Sequence, residues 1–480
     1  MSFYSIPFLL FFTVLFALYY FPLKGKVQAQ NVLLLVGSYF LYGYASLKLL
    51  PLLVIITLAY YYAGIGIANA GSERKASALT MVSVVAAVGL LVYFKYLNFL
   101  ITSFAGLFDA IGLHTNLHTF RIIMPIGLSF FVFKLISYVV EIHRGRIEPT
   151  RDIIAFATYI AFFPCIMAGP IDRPAFIEQL RKPRIFGYDI TVDGCRQFIW
   201  GLFKKVAIAD NIAPCVDNVW GDDLTLLPGG KLLVVAVLYS FQMYMDFSGY
   251  SDMAIGVGKA LGLRITRNFN YPFFAVNVAD YWRRWHISLT SWLTDYVFMP
   301  LNVRFRDWGN AGMILAIVIN LVLVGMWHGD NWTYALFGLY HGLLFIPLII
   351  SGAFFKKSKI KTVRFDLPCL KDFGRMLLTF CLITIGLIIF RADSVGNAFT
   401  YMGQILSSSI LSFEIERRYI QCFGFIFIVM VFEWIQRKKE YALDLSEVKS
   451  EPLKYATYLS VILITLIFST DSSAFIYAQF

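Results

Sequence analysis

The chain has 480 residues, of which 59% are hydrophobic, 17% aromatic and only 15% charged, where a soluble domain carries about 25% charged residues. That composition excludes an ordinary soluble globule and places the chain among polytopic membrane proteins. The net charge of +11 is spread over short loops between apolar runs, which fits anionic lipid and membrane orientation and argues against nucleic acid as a partner.

A spanning helix needs about 20 apolar residues. In chain order the runs are 3–21, 32–44, 49–68, 78–97, 122–140, 153–168, 232–247, 313–327, 336–355, 376–390, 419–434 and 455–469. The run 3–21 has no basic region before it and no small-residue cleavage site after it, so it reads as a retained span rather than a signal peptide. The pattern predicts an all-α membrane protein with about 11–14 membrane segments. No repeat of fixed period and no long linker divides it. The expectation is a single membrane domain over 1–480: scaffold helices in 1–120, a core in 121–342 and C-terminal helices in 343–480. The six cysteines are scattered with no CxxC pair, so no zinc or redox motif is readable and most are expected as small packing residues.

Orientation is clearest near the C-terminus. Lys356, Lys357, Lys359, Lys361 and Arg364 follow one span, and Arg437, Lys438, Lys439, Lys449 and Lys454 follow another. These groups are two spans apart, so they lie on one side, and the positive-inside rule makes that side cytoplasmic. The middle third, 121–342, reads differently from its flanks. Its runs are short and interrupted by Pro164, Gly169-Pro170, Lys204-Lys205, Asp246, Asp252 and Arg283-Arg284. Broken helices at membrane depth are tolerated only inside protein or against a water-filled cavity. The flanks therefore read as scaffold and the middle as the site.

Histidine is expensive inside a bilayer and is a functional candidate there by default. His328 closes the apolar run 313–326 in the pair Trp327-His328, and a neutral imidazole is suited to take a proton from a hydroxyl near pH 7. His286 lies in Tyr281-Trp282-Arg283-Arg284-Trp285-His286. Arg283 and Arg284 suit either an anionic group or an interfacial anchor. His341 is read as a hydrogen-bonded packing residue, His143 as interfacial, and His114 and His118 as surface residues. Asp246 and Asp252 are expected to pair with Arg267, Arg283 or Arg284, more as structure than as catalysts. The chain has no serine nucleophile elbow, HExxH, phosphate loop or GxGxxG, which argues against hydrolase, metalloprotease and nucleotide-driven pump.

Several blocks then converge. They are Met124-Pro125-Ile126-Gly127-Leu128-Ser129-Phe130-Phe131, Phe163-Pro164 leading to Ala168-Gly169-Pro170-Ile171, and Trp200-Gly201-Leu202-Phe203-Lys204-Lys205. After them come Met245-Asp246-Phe247-Ser248-Gly249-Tyr250-Ser251-Asp252, Asn268-Phe269-Asn270-Tyr271-Pro272, Tyr281 to Leu289, and Trp327-His328-Gly329. In this order they resemble the membrane-bound O-acyltransferase family, and most closely its branch that acetylates bacterial exopolysaccharide. The resemblance implies a ring of tilted helices around a central tunnel. It implies His328 as the catalytic base and His286 as a second active-site residue. Acetyl-CoA is the implied acyl donor, with no metal. Lys204, Lys205 and Arg283 are expected as donor contacts, Arg284 and Asp246 as further substrate-binding residues, and His286 or Asn331 as donors to the oxyanion. An alginate-like or other envelope glycan is the implied acceptor, a periplasmic partner of the SGNH-hydrolase type completes the transfer, and the location is the bacterial inner membrane. D-alanyl transfer to teichoic acid, a lipid-linked sugar transporter and a non-catalytic scaffold are the rival readings.

Overall fold

The computed structural model describes residues 2–113, 118–356, 360–413 and 416–469. His114, expected at the surface, lies outside them. The fold is all helical, with one isolated bridge, Thr362 to Pro368, and no strand among the described residues. Among those residues, seven helical stretches are long and apolar enough to cross a membrane. The first, Val27–Ala68, has 42 residues. It is two helices, Val27–Ser46 and Leu50–Ala68, parted by an extended Ser46 and a single 3₁₀ turn.

Several helix ends differ from the hydropathy pattern, each for a local reason. The 122–140 run becomes helical only at Leu128. Pro125 disfavours helix before it, and Gly127 takes a left-handed φ of +70° where a Cβ would collide with the Ile166 carbonyl. The 3–21 run forms Ile6–Tyr20, only 15 residues. The 232–247 run extends into the 32-residue helix Gly229–Ala260. Its second half carries Asp246, Ser248, Ser251 and Asp252, and these polar residues stay helical because each has a partner.

The chain divides into two compact units, Met1–Cys195 with Ala254–Thr266, and Arg196–Met253 with Arg267–Phe480. In the first unit, Leu128–His143 is buried almost all round, as a helix in a core rather than at a surface is. Gly64 lets the Leu50–Ala68 helix approach it: a Cβ there would stand 2.6 Å from the Tyr138 ring. Polar residues of this core are tied to backbone and to one another. Lys134 Nζ donates to the Tyr159 carbonyl at 3.0 Å. Asp172 accepts from Thr266 N at 2.9 Å and Thr266 Oγ1 at 2.7 Å.

In the second unit, Gly201 and Gly249 set a close helix crossing. A Cβ on Gly249 would stand 2.7 Å from the Gly201 carbonyl oxygen and 3.1 Å from Lys205 N. The crossing brings two buried lysines onto the acidic stretch. Lys204 Nζ meets Asp252 at 2.5 Å and Ser248 Oγ at 2.9 Å. Lys205 Nζ meets Asp246 at 2.7 Å and Asp210 at 2.8 Å. The expected arginine partners are therefore corrected to lysines one helix away. Removing one member of a buried ion pair leaves an uncompensated charge and costs about 3–5 kcal/mol. Lys205→Met is expected to lower the stability of the detergent-purified protein by about that amount, read from its chemical denaturation midpoint.

Candidate active site

Two helices of the second unit, Gly309–His328 and Trp332–Ile350, form an antiparallel hairpin joined by only Gly329-Asp330-Asn331. Small residues let their backbones meet. A Cβ on Gly342 would stand 3.0 Å from Val318 Cα, and one on Gly338 2.6 Å from Val322 Cα. Gly329 is extended at φ −166°, and a side chain there would run into the Tyr334 ring. Asn331 caps the second helix, its Oδ1 accepting from Thr333 N at 3.1 Å, while its Nδ2 donates to the Asp393 carbonyl at 2.7 Å. One end of that amide is thus bonded to its own helix and the other to the loop at Asp393. The tight turn holds His328 as the last residue of its helix, buried, with its ring 5.1 Å from that of Phe390.

His286 is placed by a different device. It has φ +46° and ψ +51°, a left-handed conformation that costs a non-glycine residue energy unless its surroundings impose it. Asn268 imposes it. Asn268 O accepts from Ile287 N at 2.9 Å. Asn268 Oδ1 accepts from Ser288 N at 3.2 Å and Ser288 Oγ at 2.9 Å and lies 3.0 Å from His286 Nδ1. The Ser288 N–H identifies the Asn268 atom as oxygen, since a backbone N–H only donates. His286 Nδ1 must then carry the proton, and in the neutral ring Nε2 holds the lone pair. Asn268 Nδ2 completes the clamp by donating to Ser251 Oγ at 3.3 Å. His286 lies outside the seven long apolar helices. Complete burial pushes its pKa down to about 3, because desolvation penalises the charged ring.

The two rings face one another. The centroids of His286 and His328 are 6.4 Å apart, with Trp327 packed 5.7 Å from His286 and Phe247 4.6 Å from it. His341 belongs to the same aromatic layer but is engaged, its Nδ1 accepting from Trp282 Nε1 at 3.3 Å. That is the hydrogen-bonded packing expected of it. His118 is exposed, as expected of a surface residue, and His143 lies half-buried, 3.6 Å from Glu73.

Beside the histidines lies a cavity of about 420 Å³. Its lining includes Arg283, Ile287, Asn320, Val324, Phe345 and Phe354. Ile287 follows His286, and Val324 sits one turn before His328. Arg283 donates to the Phe354 carbonyl at 2.7 Å. Phe354 lies past the end of the hairpin remote from His328, so the cavity extends along the hairpin from Arg283 towards the histidines. Arg284 is turned away, held by Asp280 at 3.0 Å and the Asn270 carbonyl at 3.4 Å. Of the residues expected at the site, Arg283 lines this cavity, and His286 and His328 stand together next to its lining residues Ile287 and Val324. Lys204, Lys205, Asp246, Arg284 and Asn331 are engaged in structural bonds elsewhere. Asn268 and Ser288 were missed. Both lie in motif blocks, but only the fold shows that they grip His286.

A protein-family model described as "MBOAT, membrane-bound O-acyltransferase family" matches residues 39–388. The chain is 36% identical over 413 residues to the probable alginate O-acetylase AlgI of Azotobacter vinelandii, covering 85% of this chain and 78% of that protein. It is 31% identical over 434 residues to the peptidoglycan O-acetyltransferase of Helicobacter pylori, covering 81% and 78%. It is 30% identical over 243 residues to the teichoic acid D-alanyltransferase of Bacillus subtilis, covering 47% and 58%.

The clamp predicts an observable tautomer. In ¹⁵N NMR of protein labelled at histidine, His286 is expected as the Nδ1–H form, unchanged between pH 8 and pH 5 because its pKa lies below that window. Asn268→Ala is expected to abolish that preference.

Proposed function

The chain belongs to the membrane-bound O-acyltransferase family and is a multi-pass membrane O-acyltransferase, and from that premise we propose that it moves an acetyl group from a cytoplasmic thioester donor to an exopolysaccharide or another cell-envelope glycan. The observation that carries this reading is the buried apposition of His286 and His328 beside a cavity with Arg283 at its far end. Acetyl-CoA is the proposed donor, and the bacterial inner membrane the proposed location. A periplasmic SGNH-type partner is proposed to complete the transfer to the polymer. The acetylases among the relatives match over most of this chain and the D-alanyltransferase over about half, which favours acetyl over D-alanyl transfer.

Donor access from the cytoplasm is supported by charge. Arg437 pairs with Asp366, and Trp434 Nε1 donates to the Asp366 carbonyl at 3.1 Å, so the two basic loops sit together, as the positive-inside rule requires of a shared side. The Arg283 end of the cavity, bonded to Phe354, belongs with that side. His328 lies at the opposite end of the hairpin, closing the Gly309–His328 helix of 20 residues, roughly 30 Å long.

In the proposed chemistry, neutral His328 takes the proton from an acceptor hydroxyl as the oxygen attacks the thioester carbonyl. The tetrahedral oxyanion then collapses, the C–S bond breaks, and the thiolate takes the proton back from His328. His286 has its Nδ1 proton committed to Asn268, so its Nε2 is an acceptor. That nitrogen suits orienting a hydroxyl rather than donating to an oxyanion. The aromatic layer around both rings excludes water that would hydrolyse the thioester.

Cells carrying His328→Gln at matched membrane-protein level are expected to lose ester-linked acetate on the envelope polymer by about 10²-fold or more, with polymer export intact. Retained acetate would remove His328 as the base, and failed export would favour a transporter.

A further inference from the structure

The cavity contains a polar side chain that the proposed chemistry does not use. Asn320 sits within the apolar Gly309–His328 helix and lines the cavity beside Leu321 and Val324. Its Oδ1 is buried and has no hydrogen-bond partner among the described residues. A carbonyl acceptor left bare in an apolar wall is costly, so a ligand that brings an N–H to it is favoured there. The neighbouring hydroxyls cannot satisfy it, because they are spent on their own helix. Thr290 Oγ1 donates to the His286 carbonyl at 3.2 Å, Ser291 Oγ to the Ser288 carbonyl at 3.1 Å and Thr294 Oγ1 to the Thr290 carbonyl at 2.7 Å.

Positions 320, 324 and 328 are four apart and therefore lie along one face of the helix. Asn320 stands eight residues, roughly 12 Å, before His328 along the axis. An extended chain advances about 1.2 Å per bond. On a pantetheine arm, the first amide nitrogen is four bonds from the thioester carbonyl carbon, about 5 Å, and the second is eight bonds away, about 10 Å. Only the second matches the offset. We infer that Asn320 accepts a hydrogen bond from the second amide N–H of a pantetheine-bearing donor and so sets the register of the thioester against His328. Asn320 is a positioning residue, and the inference rests on the acyl-transfer reading above.

The test uses full-length protein in lipid nanodiscs, with CoA and N-acetylcysteamine as calorimetric probes. The second probe keeps the thiol and first amide and lacks the second. Asn320→Leu is expected to weaken CoA binding about five- to thirty-fold and to leave N-acetylcysteamine binding unchanged. That unchanged binding also reports an intact fold. Equal CoA affinity in both proteins overturns the inference, as does parallel weakening of both probes or no CoA binding by wild type. Acetyl ester formation from acetyl-CoA is measured separately. Asn320-dependent CoA binding without any ester would keep this inference and remove the acetyl-transfer reading.

Discussion

Charge buried at membrane depth has to be neutralised at short range, and in the second unit that constraint organises everything else. The Gly229–Ala260 helix carries Asp246 and Asp252 six residues apart. Lys205 and Lys204 neutralise them only because Gly201 and Gly249 let two backbones meet. With those carboxylates held, the rotation of the helix about its axis is set. Its Phe247 then packs on His286, and its Ser251 accepts from Asn268. The ion pairs are thus structural, and the surroundings of His286 depend on them.

The histidines are held by opposite means. His328 is placed by steric necessity, at the end of a helix whose turn admits only Gly329 against the Tyr334 ring. His286 is placed by hydrogen bonding, in a strained backbone conformation that Asn268 and Ser288 offset. The difference has a chemical consequence. Clamping Nδ1 as a donor leaves Nε2 as an acceptor. Asn331 is equally committed, to its helix cap and to Asp393.

Much of this molecule was legible in its residues. Apolar runs of spanning length, basic loops two spans apart and a polar, interrupted middle third establish a helical membrane protein and mark that third as different from its flanks, because hydropathy and charge act locally and leave a linear record. His286, His328 and Arg283 stood out for the same reason: each is costly in apolar sequence. What the linear record lacked was partnership. That Lys205, rather than an arginine, neutralises Asp246 depends on a helix crossing. That Asn268 selects the tautomer of His286, 18 residues further on, depends on a loop folding back. Whether an amide such as Asn331 is spent on a cap, or one such as Asn320 faces a cavity, depends on what packs beside it. Composition and periodicity determined which residues are expensive to bury; only tertiary structure decided which groups compensate that expense, because hydrogen bonds and ion pairs act across space over about 3–4 Å and carry no signature in sequence spacing.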